Sequence, residues 1–322
     1  MAEIGSWGWI VSLRVGIFGH TCGGSIIDSR HILTAAHCLA PWGTSFMLTY
    51  GTVSVGKHNI TDAGQIRNIS EIFMHPLYEV STFRNDIGIL RLSSPLDMTD
   101  LFVSKVCLPD FDRNLLTTEQ YPAPGTKLAV IGWGVSNQTL NNITNITTNI
   151  RAHELQQVSV FALDQDDPIC NASIRDSEIQ FCANVNGGGQ DACQGDSGGP
   201  IMVYDTKRER WEQVGIVSYG TGCALPNFPG IYTRLAYYQD YIEFVLNGSA
   251  TTPSTTLPTT TPSTTLPATR TSTIPEVIVS SAEASTMSTT VNTPISGDVK
   301  LELSGWLFVL FVFRFCYDFG FA

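Results

Sequence analysis

With 322 residues and a net charge of −11, the chain is long enough for one large domain or two small ones, and it is unsuited to nucleic acid. No Lys/Arg block offsets that charge, and a core of this size needs no metal or cofactor to hold it, so neither is expected. Eight cysteines and the Asn-X-Ser/Thr sequons at Asn59, Asn68, Asn137, Asn142, Asn145, Asn171 and Asn247 point to a secreted or cell-surface protein. Met1-Ala2-Glu3 is not followed by a long apolar core, so the body reads as exported while the start carries no export signal.

In chain order, residues 7–18 are rich in β-branched and aromatic side chains and predict a strand. His37 follows in Leu33-Thr34-Ala35-Ala36-His37-Cys38. Residues 46–56 and 66–74 alternate loosely and predict hairpin strands with one covered face. Asp86 opens the apolar run Ile87-Gly88-Ile89-Leu90, where a charge is costly unless it is paired and hydrogen-bonded. Residues 137–149 are dense in Asn and Thr and read as a loop. Then comes Asp191-Ala192-Cys193-Gln194-Gly195-Asp196-Ser197-Gly198-Gly199-Pro200, in which glycines flank a serine. That composition suits a tight loop that presents a hydroxyl and lets a substrate approach the main chain. A hydroxyl is a weak nucleophile until a base, itself oriented by a third group, takes its proton. His37, Asp86 and Ser197 supply those groups, in one of the known orders of such a triad.

These three motifs, together with Ile131-Gly132-Trp133-Gly134, resemble the trypsin/chymotrypsin family of serine proteases from about Ser6 to Val245. The resemblance implies an all-β domain over 1–247: two six-stranded antiparallel β-barrels and a C-terminal helix over 237–246, packed on the second barrel. It also implies the template mechanism of that family, with His37 as base, Asp86 as its orienting partner and Ser197 as nucleophile. The N–H groups of Gly195 and Ser197 would form the oxyanion hole. Asp191 would sit at the base of a pocket for Arg or Lys, walled by Ser218, Gly220 and Gly230. Cys22 would pair with Cys38, Cys170 with Cys182, and Cys193 with Cys223. Leu128 and Val203 stand where many relatives carry a further disulfide. Cys107 would tether a cleaved propeptide in many relatives, and no upstream cysteine is present to pair with it. Thr21-Cys22-Gly23-Gly24-Ser25 would meet the leaving side of the substrate. The remaining histidines, His20, His31, His58, His75 and His153, read as surface or packing residues.

In the family, a short N-terminal segment released by cleavage folds inward and pairs with the aspartate that Asp196 matches. That activation segment is missing before Ser6, and truncation is the favoured explanation. Without it, Asp196 is expected to be an unpaired carboxylate, costly enough to collapse the pocket. Hence two functional expectations stand: an endopeptidase cleaving after Arg or Lys, and a catalytically inactive homologue that acts as a binding module. Protein or peptide substrates and protease inhibitors are the expected partners.

Beyond Asn247 the composition shifts. Residues 249–275 hold 16 Ser/Thr and 5 Pro among 27, and Thr-Pro-Ser-Thr-Thr-Leu-Pro occurs twice. Such a stretch cannot bury a core, so 248–300 reads as a disordered, extended stalk. The apolar run from Trp306 to Phe313 is shorter than the ~20 residues of a membrane span. Small residues at Ser296-Gly297, a polar spacer and the tail 301–322 resemble a lipid-anchor signal. The expected location is therefore extracellular, secreted or anchored to the cell surface through the C-terminal tail.

Overall fold

The computed structural model describes residues 1–141, 146–185, 187–188, 192–223, 225 and 227–248. The stalk and the C-terminal tail expected beyond residue 248 lie outside those residues, as does the pocket residue Asp191.

Six strands make the first barrel: β1 (Ile10–Val15), β2 (Gly19–Ile26), β3 (His31–Thr34), β4 (Gly51–Val55), β5 (Gln65–Met74) and β6 (Gly88–Leu92). The second uses β7 (Lys127–Gly132), β10 (Gln156–Ala162), β11 (Gln180–Asn184), β12 (Pro200–Asp205), β13 (Arg210–Tyr219) and β14 (Gly230–Arg234). Between β7 and β10, β8 (Val135–Asn141) and β9 (Ile146–Arg151) form a separate two-stranded hairpin. The first barrel closes in the order β1-β2-β3-β6-β5-β4. The second closes as β7-β10-β11-β14-β13-β12, the same path traced by its own six strands. Closure leaves neither barrel an unpaired edge. The two-barrel, all-β architecture expected from the sequence is the one observed.

Burial follows from the sequence pattern. Strand β3 is buried at every position, and β5 alternates over its first half as a strand with one covered face does. One apolar cluster fills the first barrel and reaches Ile131, Met202 and Ile216 of the second. Leu128, Val130, Val160, Phe181, Ile201, Val214 and Tyr232 fill the second barrel's interior. Leu128 and Val203, the two positions without the further disulfide, are register partners across β7 and β12.

Two expectations change. Residues 46–50 do not continue a strand: α1 (Thr44–Tyr50) occupies them, and β4 begins only at Gly51. Only Met47 of this helix is buried, so the run resembles one half-covered strand as closely as one short helix. Glycines bound it, and a side chain on Gly51 would collide with the carbonyl of Met47. The C-terminal helix, α3 (Gln239–Leu246), follows the shorter α2 (Pro168–Ser173). Expected on the second barrel, it also makes contacts with the first. The Tyr241 hydroxyl donates to the Phe73 carbonyl at 2.8 Å, and its ring meets His75 edge-on at 4.9 Å. The chain thus ends its fold by strapping the second barrel's last helix to the first barrel.

Truncating Leu33 tests how tightly this core is packed. It is fully buried on β3, four residues before His37. Leu33→Ala should cost about 2–5 kcal/mol in denaturant unfolding; a loss under about 1 kcal/mol would show that this core can collapse around the void.

Candidate active site

His37 sits on a short 3-10 turn, Ala36–Cys38, that ends β3's exit from the first barrel. The Cys22–Cys38 disulfide anchors that turn to β2. The Thr34 hydroxyl adds a 2.8 Å bond to the Gly23 carbonyl. Asp86 lies one residue after Asn85, a non-glycine residue held at φ +55°, and just before β6. Its carboxylate is fully buried. One oxygen accepts the His37 backbone N–H at 2.8 Å; the other accepts His37 Nδ1–H at 2.7 Å and the Ser218 hydroxyl at 2.5 Å. The Thr233 hydroxyl donates to the Asp86 carbonyl at 2.8 Å. Three donors to one buried carboxylate offset what its desolvation would otherwise cost. A carboxylate only accepts, so Nδ1 carries a proton.

Ser197 and His37 line one cavity of about 300 Å³ between the barrels. Ser218, Gly220 and Gly230 line it too. The Ser197 hydroxyl makes no hydrogen bond to His37 in this arrangement; the pair shares the cavity without being joined. The Ser197 carbonyl accepts the Gly23 N–H at 2.7 Å, which fixes the serine loop against β2.

The loop also sets the direction of an amide. The Gln194 carbonyl accepts the Val135 N–H at 2.9 Å. In a trans peptide the C=O and N–H point opposite ways, so that bond turns the Gly195 N–H away from β8. Gly195 adopts φ +103°, a conformation that penalises any side chain. Among the described residues neither the Gly195 nor the Ser197 N–H donates to a protein acceptor.

Asp196 is not left without partners. One of its oxygens accepts the Gly134 N–H at 2.8 Å and the other the Cys193 N–H at 2.9 Å. A side chain on Gly134 would overlap the carboxylate, which explains a glycine at the mouth of β8. Burial raises the Asp196 carboxyl above its ordinary range; the two amides and the Arg151 charge act the other way. The carboxylate expected to be unpaired therefore has two backbone donors.

His20, expected as a surface or packing residue, is a packing residue with two polar partners. It is buried and bridges the barrels: Nε2 lies 3.0 Å from the Gly195 carbonyl and Nδ1 2.9 Å from the Ser12 hydroxyl. A carbonyl only accepts, so the proton is on Nε2 and Nδ1 takes the serine hydrogen. Burial is the main reason its pKa falls to about 4, with Arg151, Lys57 and Arg14 adding repulsion.

The sequence reading missed further cavity residues. Phe83, at φ +54°, meets the His37 ring edge-on at 5.7 Å and Tyr219 at 5.1 Å, roofing the cavity beside the imidazole. Ser218, expected only as a pocket wall, has its hydroxyl committed to Asp86. Nothing in a sequence marks these contacts: the Ser218–Asp86 bond joins residues from both barrels, and the place of Phe83 follows from its positive φ. The three expected disulfides, Cys22–Cys38, Cys170–Cys182 and Cys193–Cys223, are all formed. Cys107 is disulfide-bonded as well.

Two barrels of identical strand order, with a histidine, a buried aspartate and a serine loop meeting at their seam, define a hydrolase-type cleft. A sequence model described as Trypsin matches residues 1–242, and the chain belongs to the trypsin family of serine proteases. Over 253 residues it is 33% identical to the clotting factor G beta subunit of Tachypleus tridentatus, covering 76% of this chain and 77% of that one. It is 35% identical over 229 residues to trypsin eta of Drosophila melanogaster, covering 70% and 76%. It is also 35% identical over 247 residues to transmembrane protease serine 5 of Homo sapiens, where the match covers 74% of this chain but only 49% of the relative.

The depressed His20 pKa has a thermodynamic consequence. Because the folded state disfavours the proton, its stability margin is whole above about pH 6.5 and is lost as pH falls towards 4. The margin is about 3 kcal/mol. His20→Gln, unable to titrate, should therefore lose about 3 kcal/mol less than the wild type between pH 7 and pH 4 in denaturant unfolding. Parallel pH profiles for the two proteins would contradict the assignment.

Proposed function

We propose that the protein is a serine-type endopeptidase that hydrolyses peptide bonds after Arg or Lys, with His37, Asp86 and Ser197 as its triad. The observation that carries this reading is the pair of bonds from His37 to the buried Asp86 beside a cavity that Ser197 also lines. In the proposed mechanism, the free Nε2 lone pair takes the Ser197 proton as the oxygen attacks the scissile carbonyl. The bond from Nδ1–H to Asp86 stabilises the imidazolium that forms. The Gly195 and Ser197 N–H groups receive the tetrahedral oxyanion; one such donor is worth roughly 3–4 kcal/mol. His37 then returns the proton to the leaving amine. The unmade hydrogen bond between Ser197 and His37 is compatible with this, because catalytic hydrogen bonds are often long without substrate and tighten on binding.

Specificity for Arg or Lys rests on Asp191, six residues before Ser197, and on the room left by Gly220 and Gly230. A side chain's first carbon on Gly220 would meet the Gly230 backbone at 3.8 Å, so small residues keep the slot open. A second reading, a non-catalytic binding module, draws on Asp196: among the described residues its carboxylate is held by amides and by no cation at ion-pair distance. The disulfides and sequons support an extracellular place of action. Among the described residues no helix is long and apolar enough to cross a membrane. Surface attachment rests on the sequence of 301–322.

An Arg-containing fluorogenic peptide amide separates the readings. The wild type should cleave it, and Ser197→Ala should lower kcat/KM by about 10⁴-fold or more. No cleavage of peptide amides by the wild type would favour the binding module. Asp191→Ser should abolish cleavage after Arg; an undiminished Arg preference would refute the pocket assignment.

A further inference from the structure

Arg151, at the end of β9, is an exposed cation beside the reaction centre that the chemistry above does not use. Its NH1 group donates to the His20 carbonyl at 2.7 Å, pinning the guanidinium to the start of β2. Its Nε lies 3.7 Å from where a side chain on Gly195 would begin. The guanidinium is therefore wedged between the oxyanion glycine and the first barrel. One bond to His20 uses one of five N–H donors. Four other arginines are matched: Arg84 with Asp176, Arg91 with Glu71, Arg113 with Asp240 and Arg208 with Asp110. Among the described residues no carboxylate lies at ion-pair distance from Arg151.

The cleft's geometry says which part of a substrate meets this charge. With its carbonyl oxygen at the Gly195 N–H, a substrate places the side chain before the scissile bond between Ser218, Gly220 and Gly230. Arg151 does not line that cavity; it flanks Gly195 and is bonded to β2 instead, so the residues after the bond, not the one before it, are those it can meet.

We propose that Arg151 is a specificity-determining residue that selects an acidic side chain within two residues after the scissile bond. The inference rests on the protease reading. The planar fork of an arginine suits a carboxylate bidentately, and a basic side chain at the same place meets like-charge repulsion. The site is exposed, so the preference should be modest and should weaken with added salt.

The test uses quenched peptides with an identical acyl side ending in Arg, followed by Ala-Ala, Glu-Ala, Ala-Glu or Ala-Lys. The wild type should favour one of the Glu peptides over Ala-Ala by about fivefold in kcat/KM at low salt, and Ala-Lys should be the poorest. In Arg151→Gln the Glu-to-Ala ratio should fall to about one, while Arg151→Lys should keep part of it. A purely structural Arg151, acting through the His20 carbonyl, would change all four peptides alike and leave the ratio in place, which would overturn the proposal. An Arg amide with no residue after the bond, assayed alongside, reports the protease reading itself. If the wild type cleaves that amide but shows no Glu preference, only the role of Arg151 fails. If it cleaves neither, the protease reading falls and takes this inference with it.

Discussion

The buried carboxylate of Asp86 is the interaction on which the site depends. It stands at the seam of the barrels and gathers donors from both, His37 from the first and Ser218 from the second, while the Thr233 hydroxyl of the second barrel holds the Asp86 backbone carbonyl. A charge taken out of water is destabilising unless every donor is in place. The relative position of the barrels is thereby tied to the orientation of one imidazole. His37 is held by its ring, by its own backbone N–H and by the Cys22–Cys38 link, so little rotational freedom is left to lose when it acts.

A second buried carboxylate organises the opposite wall. Asp196 draws the Cys193 and Gly134 amides to itself, and the neighbouring Val135–Gln194 bond sets the Gly195 peptide. His20 then grips the Gly195 carbonyl from the first barrel. The serine loop is thus fixed on both flanks, by the hairpin strand β8 on one side and by β2 on the other. Amide donors hold this carboxylate, and they oppose the burial that disfavours its ionisation.

How much of this was legible beforehand depended on whether a feature is local in sequence. His37, Asp86 and Ser197 stand in short motifs, each with its own turn chemistry, and their order alone suggested a common site. The bond from Ser218 to Asp86 spans 132 residues and the bond from Thr233 spans 147; no local pattern encodes either. Phe83 was invisible for a different reason: its place beside His37 follows from a positive φ that phenylalanine rarely adopts. Residues 46–50 were misread because one buried side chain, Met47, cannot distinguish a period of two from one of 3.6. His20 looked ordinary because its partners, Ser12 and Gly195, lie on different barrels.

The proposed chemistry requires that Asp86, through His37, make the Ser197 oxygen nucleophilic. Labelling with a fluorophosphonate, followed by peptide mass spectrometry, measures that property without any assumption about substrate. A single modified residue, Ser197, is expected, with the labelling rate cut by orders of magnitude in Asp86→Asn, whose amide favours the wrong imidazole tautomer. Equal labelling rates for Asp86→Asn and the wild type, or modification at another serine, would contradict it.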